Sequence, residues 1–134
     1  MTDPISLQFG DAGEGLFSEQ QVLHLLKVEF RRSRRYSYPL SCLVVRVDRL
    51  ERIGDMHGFD AQDLVMAEVV RSVTAQIRTC DFLGLLPDQR ILVVMPHTPE
   101  AGVRIVADRL VERIGGHRFE FDGRQARVTC SIGV

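Results

Sequence analysis

Apolar residues change their spacing several times along this chain, and each change predicts an element. Val22, Leu25, Leu26 and Phe30 recur at intervals of three and four, which places them on one face of a helix. Ser18 stands just ahead of that run and Gln21 follows three residues later, a capping-box spacing that predicts the helix start. Arg31, Arg32, Arg34 and Arg35 crowd its far end, where cations complement the terminal carbonyls on a solvated face. A nucleic-acid patch is the competing reading of those arginines. The spacing then tightens. Residues 38–47 form a β-branched apolar run opened by Pro39, where a strand tolerates proline. Asp48 predicts a cap for a short helical turn through Ile53, ended by Gly54. A long helix is expected over about 60–78, carried by Leu64, Met66, Val69, Val70, Val73 and Ile77. Two short apolar runs, 82–86 and 90–95, are parted by Pro87-Asp88-Gln89 and read as a hairpin. Pro99 opens a further helix through Val103, Val106, Leu110 and Ile114, stopped by Gly115-Gly116. Residues 119–121 and 126–134 flank Asp122-Gly123, a strong turn dipeptide, and predict a second hairpin.

Strands alternating with long helices predict an α/β (α+β) layer structure, and the strand-helix-strand, strand-helix-strand order is the ferredoxin-like βαββαβ pattern. Residues 1–16 read as a flexible lead-in and 17–134 as the domain. With 134 residues and 45% hydrophobic content, the chain suffices for one core. A net charge of -1 offers no bulk attraction for a nucleic acid. No apolar run is long enough for a bilayer, and the start lacks the order of a signal peptide, so a soluble, cytoplasmic domain with no membrane partner is expected. Cys42, Cys80 and Cys130 form no close pair and the four histidines are scattered, so no metal site, cofactor or nucleophilic triad is expected from spacing. Met56, Met66 and Met95 read as core filling.

Three stretches share one resemblance. Residues 33–55 hold a basic helix end, a Pro-Leu strand and then R-V-D-R-L-E-R-I-G-D, similar to the D-x-D-x-F-K-x-I-N-D segment that opens the GGDEF family. Residues 78–96 match that family's R-x-x-D, five residues, G-G-D-E-F, and an apolar strand ending in proline, without a gap from Asp81 to Pro96. The V-T-C-S-I-G-V at 128–134 is nearly the family's closing strand. The resemblance implies a nucleotidyl-cyclase-like fold. In active members two chains face one another, and each presents GTP whose hydroxyl attacks the other's α-phosphate, with carboxylate-held magnesium neutralising the charge.

The matching positions carry other chemistry. G-G-D-E-F falls on Pro87, Asp88, Gln89, Arg90 and Ile91, and the first metal-binding aspartate of D-x-D falls on Arg46. Proline has no N–H to donate to a phosphate and guanidinium cannot ligate magnesium. Gly54 replaces the guanine-reading asparagine, while Asp55 and Asp63 keep the family's acidic positions. The expectation on these grounds is a domain that is not an enzyme, a degenerate diguanylate cyclase.

The family's inhibitory R-x-x-D falls on Arg78 and Asp81, with Arg109 the best match for the arginine that completes that site and Arg104 its neighbour. The resemblance thus implies a cyclic di-GMP receptor. An arginine and an aspartate three apart also commonly pair with each other. The alternative is a protein-interaction domain that binds no nucleotide and pairs with itself or with a partner signalling protein. An active cyclase is the remaining alternative. Family members continue past the S-I-G-V strand, whereas this sequence stops at Val134, so a partly uncovered sheet face and a homodimer are expected.

Overall fold

A computed structural model of the protein describes residues 16–134. The expected lead-in therefore lies outside the described residues except for Leu16. Strand β1 (Leu16–Phe17) is followed by helix α1 (Glu19–Tyr36), β2 (Leu40–Val47), α2 (Leu50–His57) and α3 (Phe59–Gln76). Next come β3 (Phe82–Leu86), a short 3₁₀ turn (Pro87–Gln89) and β4 (Arg90–Pro96). Helix α4 (Glu100–Gly116), the small strands β5 (Phe119–Phe121) and β6 (Arg124–Ala126), and β7 (Cys130–Gly133) complete the chain. The main sheet runs β1-β3-β4-β2-β7, so its last four strands have the ferredoxin-like order expected from the pattern.

The two faces of the sheet are covered by different helices because residues alternate along each strand. Leu43, Val45 and Val47 of β2 face Val65, Val69 and Val73 of α3 and Leu110 and Ile114 of α4, all buried. On the opposite face Phe17, Leu92 and Val94 close around Val22 of α1. Each fully buried side chain of this kind contributes about 1.5–3 kcal/mol. The start of α1 follows from its sequence: Ser18 Oγ accepts from the Gln21 N–H at 3.2 Å, and Gln21 Oε1 accepts from the Ser18 N–H at 3.0 Å.

Three elements differ from the expectation. Asp48 caps no helix. Helix α2 begins at Leu50 after Arg49, whose backbone is left-handed (φ 57), and it runs through Gly54 to His57. The Asp48 carboxylate instead accepts from Thr129 Oγ1 and Ser131 Oγ, each at 2.7 Å, across to β7. Residues 126–134 do not form one strand. Arg124–Ala126 satisfies the Asp122-Gly123 hairpin with β5, and Cys130–Gly133 then pairs antiparallel with β2. Strand β1 pairs in parallel with β3 at Leu16↔Leu83 and Phe17↔Gly84, and two residues are too few to leave a period in the sequence.

The Asp48 bridge makes stability sensitive to acid. The hydroxyl of Ser131, then that of Thr129, holds this carboxyl below the usual aspartate range, with Arg46 and Arg49 adding to the effect. A depressed folded pKa contributes stability above the unfolded value, and that contribution is lost as pH falls through the folded value. Asp48→Asn is expected to cost up to about 1 kcal/mol at neutral pH, discounted because the group is partly exposed to solvent. The gap between variant and parent should begin to narrow near about pH 4 and close as pH falls through the lower folded value, which chemical denaturation at several pH values would measure.

Candidate functional site

Two places gather the residues singled out in the sequence. The first is the central hairpin. Strands β2 and β4 pair antiparallel as far as Val45↔Ile91, which sets Arg46 and Arg90 side by side one step beyond. Both line a cavity of about 630 Å³ with Glu51, Gln62, Asp88 and Gln89. The turn is tight: Asp88 and Gln89 adopt φ values of 61 and 57, a left-handed backbone that glycine adopts without cost and aspartate tolerates. Arg90 Nε donates back to the Pro87 carbonyl at 3.1 Å. Glu51 and Gln62 were not foreseen as neighbours of the hairpin. Gln62 reaches it by lying across Gly54, where a Cβ would meet its Nε2 at 3.3 Å, while that nitrogen donates to the Leu50 carbonyl at 3.2 Å.

Magnesium, which the family resemblance implies, requires several converging oxygen ligands. The hairpin cavity presents two guanidiniums and two amides beside two carboxylates. Among the described residues no cluster of three or more histidines, cysteines and carboxylates is placed to hold a metal ion. The donor set does not fit a hard divalent cation.

The second place lies beyond the end of α3. The Asp81 side chain is 0% exposed and that of Arg78 is 51% exposed. Asp81 Oδ2 accepts from the Arg78 backbone N–H at 2.8 Å and from Nε at 3.3 Å, and Oδ1 accepts from Nη2 at 3.0 Å. Nη2 also donates to the Pro96 carbonyl at 2.7 Å and to Thr98 Oγ1 at 2.5 Å. Hydrogen bonding to Asp81 pushes the already high pKa of Arg78 further up. The guanidinium is therefore anchored along one edge, and among the described residues its Nη1 donates to nothing. Beside it opens a cavity of about 540 Å³ whose walls include Phe17, Leu25, Ile77, Cys80 and Phe82.

Arg104 and Arg109 do not line that cavity. Arg104 pairs with Glu100 at 2.9 Å on the exposed side of α4, and Arg109 Nη1 reaches Gln76 Oε1 at 3.5 Å across the α3–α4 contact. Of the four residues expected to form one ligand site, the fold brings Arg78 and Asp81 together and leaves the two helix arginines on α4.

The β3–β4 hairpin lies beside the end of β2 in a sheet of ferredoxin-like order, an arrangement that a nucleotidyl-cyclase-like domain shares. The match to "Diguanylate cyclase, GGDEF domain" over residues 10–134 makes this specific: the chain belongs to that family. It is 27% identical over 134 residues to the diguanylate cyclase DgcP of Pseudomonas aeruginosa, covering 100% of this chain and 19% of that protein. The crystal structure of the FimX GGDEF domain from Pseudomonas aeruginosa superposes with a TM-score of 0.84 at 20% identity, over 98% of this chain and 76% of that one. The GGDEF domain of DgcB from Caulobacter crescentus in complex with c-di-GMP also gives 0.84, at 12% identity, over 88% and 69% of the two chains. These structural likenesses concern the fold, and the chain spans about a fifth of the length of DgcP. The expectation of a chain outside the enzymes is thereby corrected: its family is a cyclase family, and the relative it matches over its whole length is a diguanylate cyclase. No helix among the described residues is long and apolar enough to cross a membrane.

Proposed function

We propose that this GGDEF domain serves cyclic di-GMP signalling as a binding domain, taking the dinucleotide at the Arg78 cavity. The observation that carries this is the state of the guanidinium: fixed by Asp81, Pro96 and Thr98 along one edge, with Nη1 uncommitted beside a 540 Å³ opening. An arginine immobilised in advance loses little entropy on binding, and its plane suits both the hydrogen-bonding edge and the face of a guanine. Phe17, Leu25 and Phe82 supply apolar walls of the kind a base packs against. Asp81 acts here as a positioning residue, since its oxygens are already taken by Arg78 and its side chain is enclosed. Arg109 and Arg104 reach the ligand's phosphates from α4 only by leaving Gln76 and Glu100, exposed contacts that cost little to break.

Titration calorimetry with cyclic di-GMP tests this directly. The parent is expected to bind, and Arg78→Ala to weaken binding by roughly a hundredfold, on the order of 2–3 kcal/mol for charge-assisted hydrogen bonds. Arg109→Ala should weaken it less. Absence of heat from the parent, or an Arg78→Ala variant that binds equally well, overturns the proposal.

A further inference from the structure

The turn that anchors Arg78 is itself held from its other side. Pro96 and Thr98, which accept from the Arg78 guanidinium, flank His97 in the segment joining β4 to α4. His97 has a left-handed backbone at φ 54, a conformation uncommon for any residue but glycine and kept where the surroundings impose it.

The surroundings here are the end of α1 and the start of β2. The Thr98 N–H donates to the Pro39 carbonyl at 3.3 Å, and the Thr98 carbonyl accepts from Ser41 Oγ at 2.6 Å. Between these bonds the Tyr38 ring stacks on the His97 ring, with 3.9 Å between centroids and 23° between planes. Tyr38 is in turn tied to α1. Its N–H donates to the Ser33 carbonyl at 3.2 Å, and its hydroxyl donates to the Glu29 carboxylate. Glu29, Tyr38 and His97, followed by Pro96 and Thr98, thus form one unbroken series of contacts from α1 to the guanidinium.

We infer that Tyr38 and His97 are positioning residues for Arg78, through which the placement of α1 sets the affinity of the Arg78 cavity. The identity of the ligand rests on the dinucleotide reading of that cavity, whereas the clamp rests on geometry alone. A displacement of α1 pulls the Tyr38 ring from His97 and lets the 96–98 turn relax. The guanidinium then keeps Asp81 but loses the acceptors that fix its far nitrogen, and a guanidinium free to turn loses more entropy when a ligand immobilises it. The coupling is reciprocal: a ligand that fixes Arg78 strengthens the hold of the turn on α1 by the same free energy.

NMR of the arginine side chains in the full chain reads the clamp without ligand, and Arg78→Ala identifies the signals. The Arg78 Nη groups of the parent are expected as separate, slowly rotating resonances. Tyr38→Ala and His97→Gly should each merge them into an averaged signal. Glycine adopts the left-handed backbone at position 97 without cost, so that variant removes the ring and spares the turn. Tyr38→Phe keeps the ring and should keep the separate resonances. In calorimetry with cyclic di-GMP, each ring-deleting variant should bind about fivefold more weakly than the parent, the scale of one aromatic pair. The double variant should bind no more weakly than either alone, because both changes break the same contact. Averaged Arg78 signals in the parent, separate signals that persist in His97→Gly or in a folded Tyr38→Ala, or merging in Tyr38→Phe would each overturn the inference. A parent that binds no cyclic di-GMP, with signals that merge as expected, refutes the dinucleotide reading and supports the clamp. Where Tyr38→Ala folds poorly, His97→Gly decides.

Discussion

Replacing Gly84 with alanine is expected to cost roughly 2–3 kcal/mol of folding stability, the upper part of the range for inserting a methyl group into a filled core. Gly84 lies in β3 opposite Leu92 of β4 and Phe17 of β1. A Cβ built there would stand 2.4 Å from the Cβ of Val22, 2.6 Å from its Cγ1 and 2.8 Å from its Cγ2. Val22 is fully buried and fastens α1 to that face of the sheet, so relief requires the helix to move and open the cluster of Phe17, Leu92 and Val94. The nearest atom decides how rescue should behave. Val22→Ala removes the two γ carbons and keeps the Cβ, so combining it with Gly84→Ala should recover little. Gly115 offers the contrast, because it lies in α4 with nothing within 4 Å of an added Cβ. Gly115→Ala is expected to stabilise by up to about 1 kcal/mol, since alanine loses less backbone entropy in a helix. Urea midpoints of the three variants measure both directions, and a Gly84→Ala midpoint at or above that of the parent would contradict the packing described.

Elements that bury a whole face were legible in the sequence. Val22, Leu25 and Leu26 gave the facing of α1, although Phe30 at the end of that run is 50% exposed; Ser18 and Gln21 announced the helix start, and Pro87-Asp88-Gln89 parted two runs that do pair. Legibility failed where the deciding partner lies far along the chain. Asp48 carries the residue type of a helix cap, but hydroxyls 81 and 83 positions away claim its carboxylate first, so the helix starts later. The run at 126–134 is apolar enough for one strand, yet the two-residue turn at Asp122-Gly123 needs only Arg124–Ala126 to close its ladder. At the candidate sites the same limit holds. Arg78 and Asp81 are three apart, and their pairing was weighed from spacing alone. Pro96 and Thr98 join them only because β4 ends beside α3, which no local pattern announces. Glu51 and Gln62 reach the hairpin, and Tyr38 and His97 stack, through crossings that tertiary packing sets. Functional class failed differently. Reading replaced side chains one by one led to a chain outside the enzymes, whereas the match over residues 10–134 places it within a cyclase family.

Arg46→Asp combined with Arg90→Glu is expected to raise the affinity of the hairpin for Mn²⁺ by on the order of a hundredfold over the parent. The two side chains stand on adjacent strands, beyond Val45↔Ile91, and share a cavity with Asp88 and Glu51. In the parent, two guanidiniums face those two carboxylates, so a dication entering the cavity meets no net attraction and no full set of ligands. Reversing both charges places four carboxylates around the same space. A dication and a carboxylate a few ångströms apart attract by several kcal/mol at the effective dielectric of a protein surface, so even a partly screened gain reaches the stated magnitude. Neither single change should achieve half of this effect. A hard cation must be gripped from both strands at once, and one remaining arginine keeps a positive charge in its path. Calorimetric titration with Mn²⁺, alongside thermal melts to establish that the variants fold, provides the measurement. A folded double variant that binds Mn²⁺ no better than the parent would mean that the ends of β2 and β4 do not converge on one cavity. The register carried through Val45↔Ile91 would then have to be redrawn.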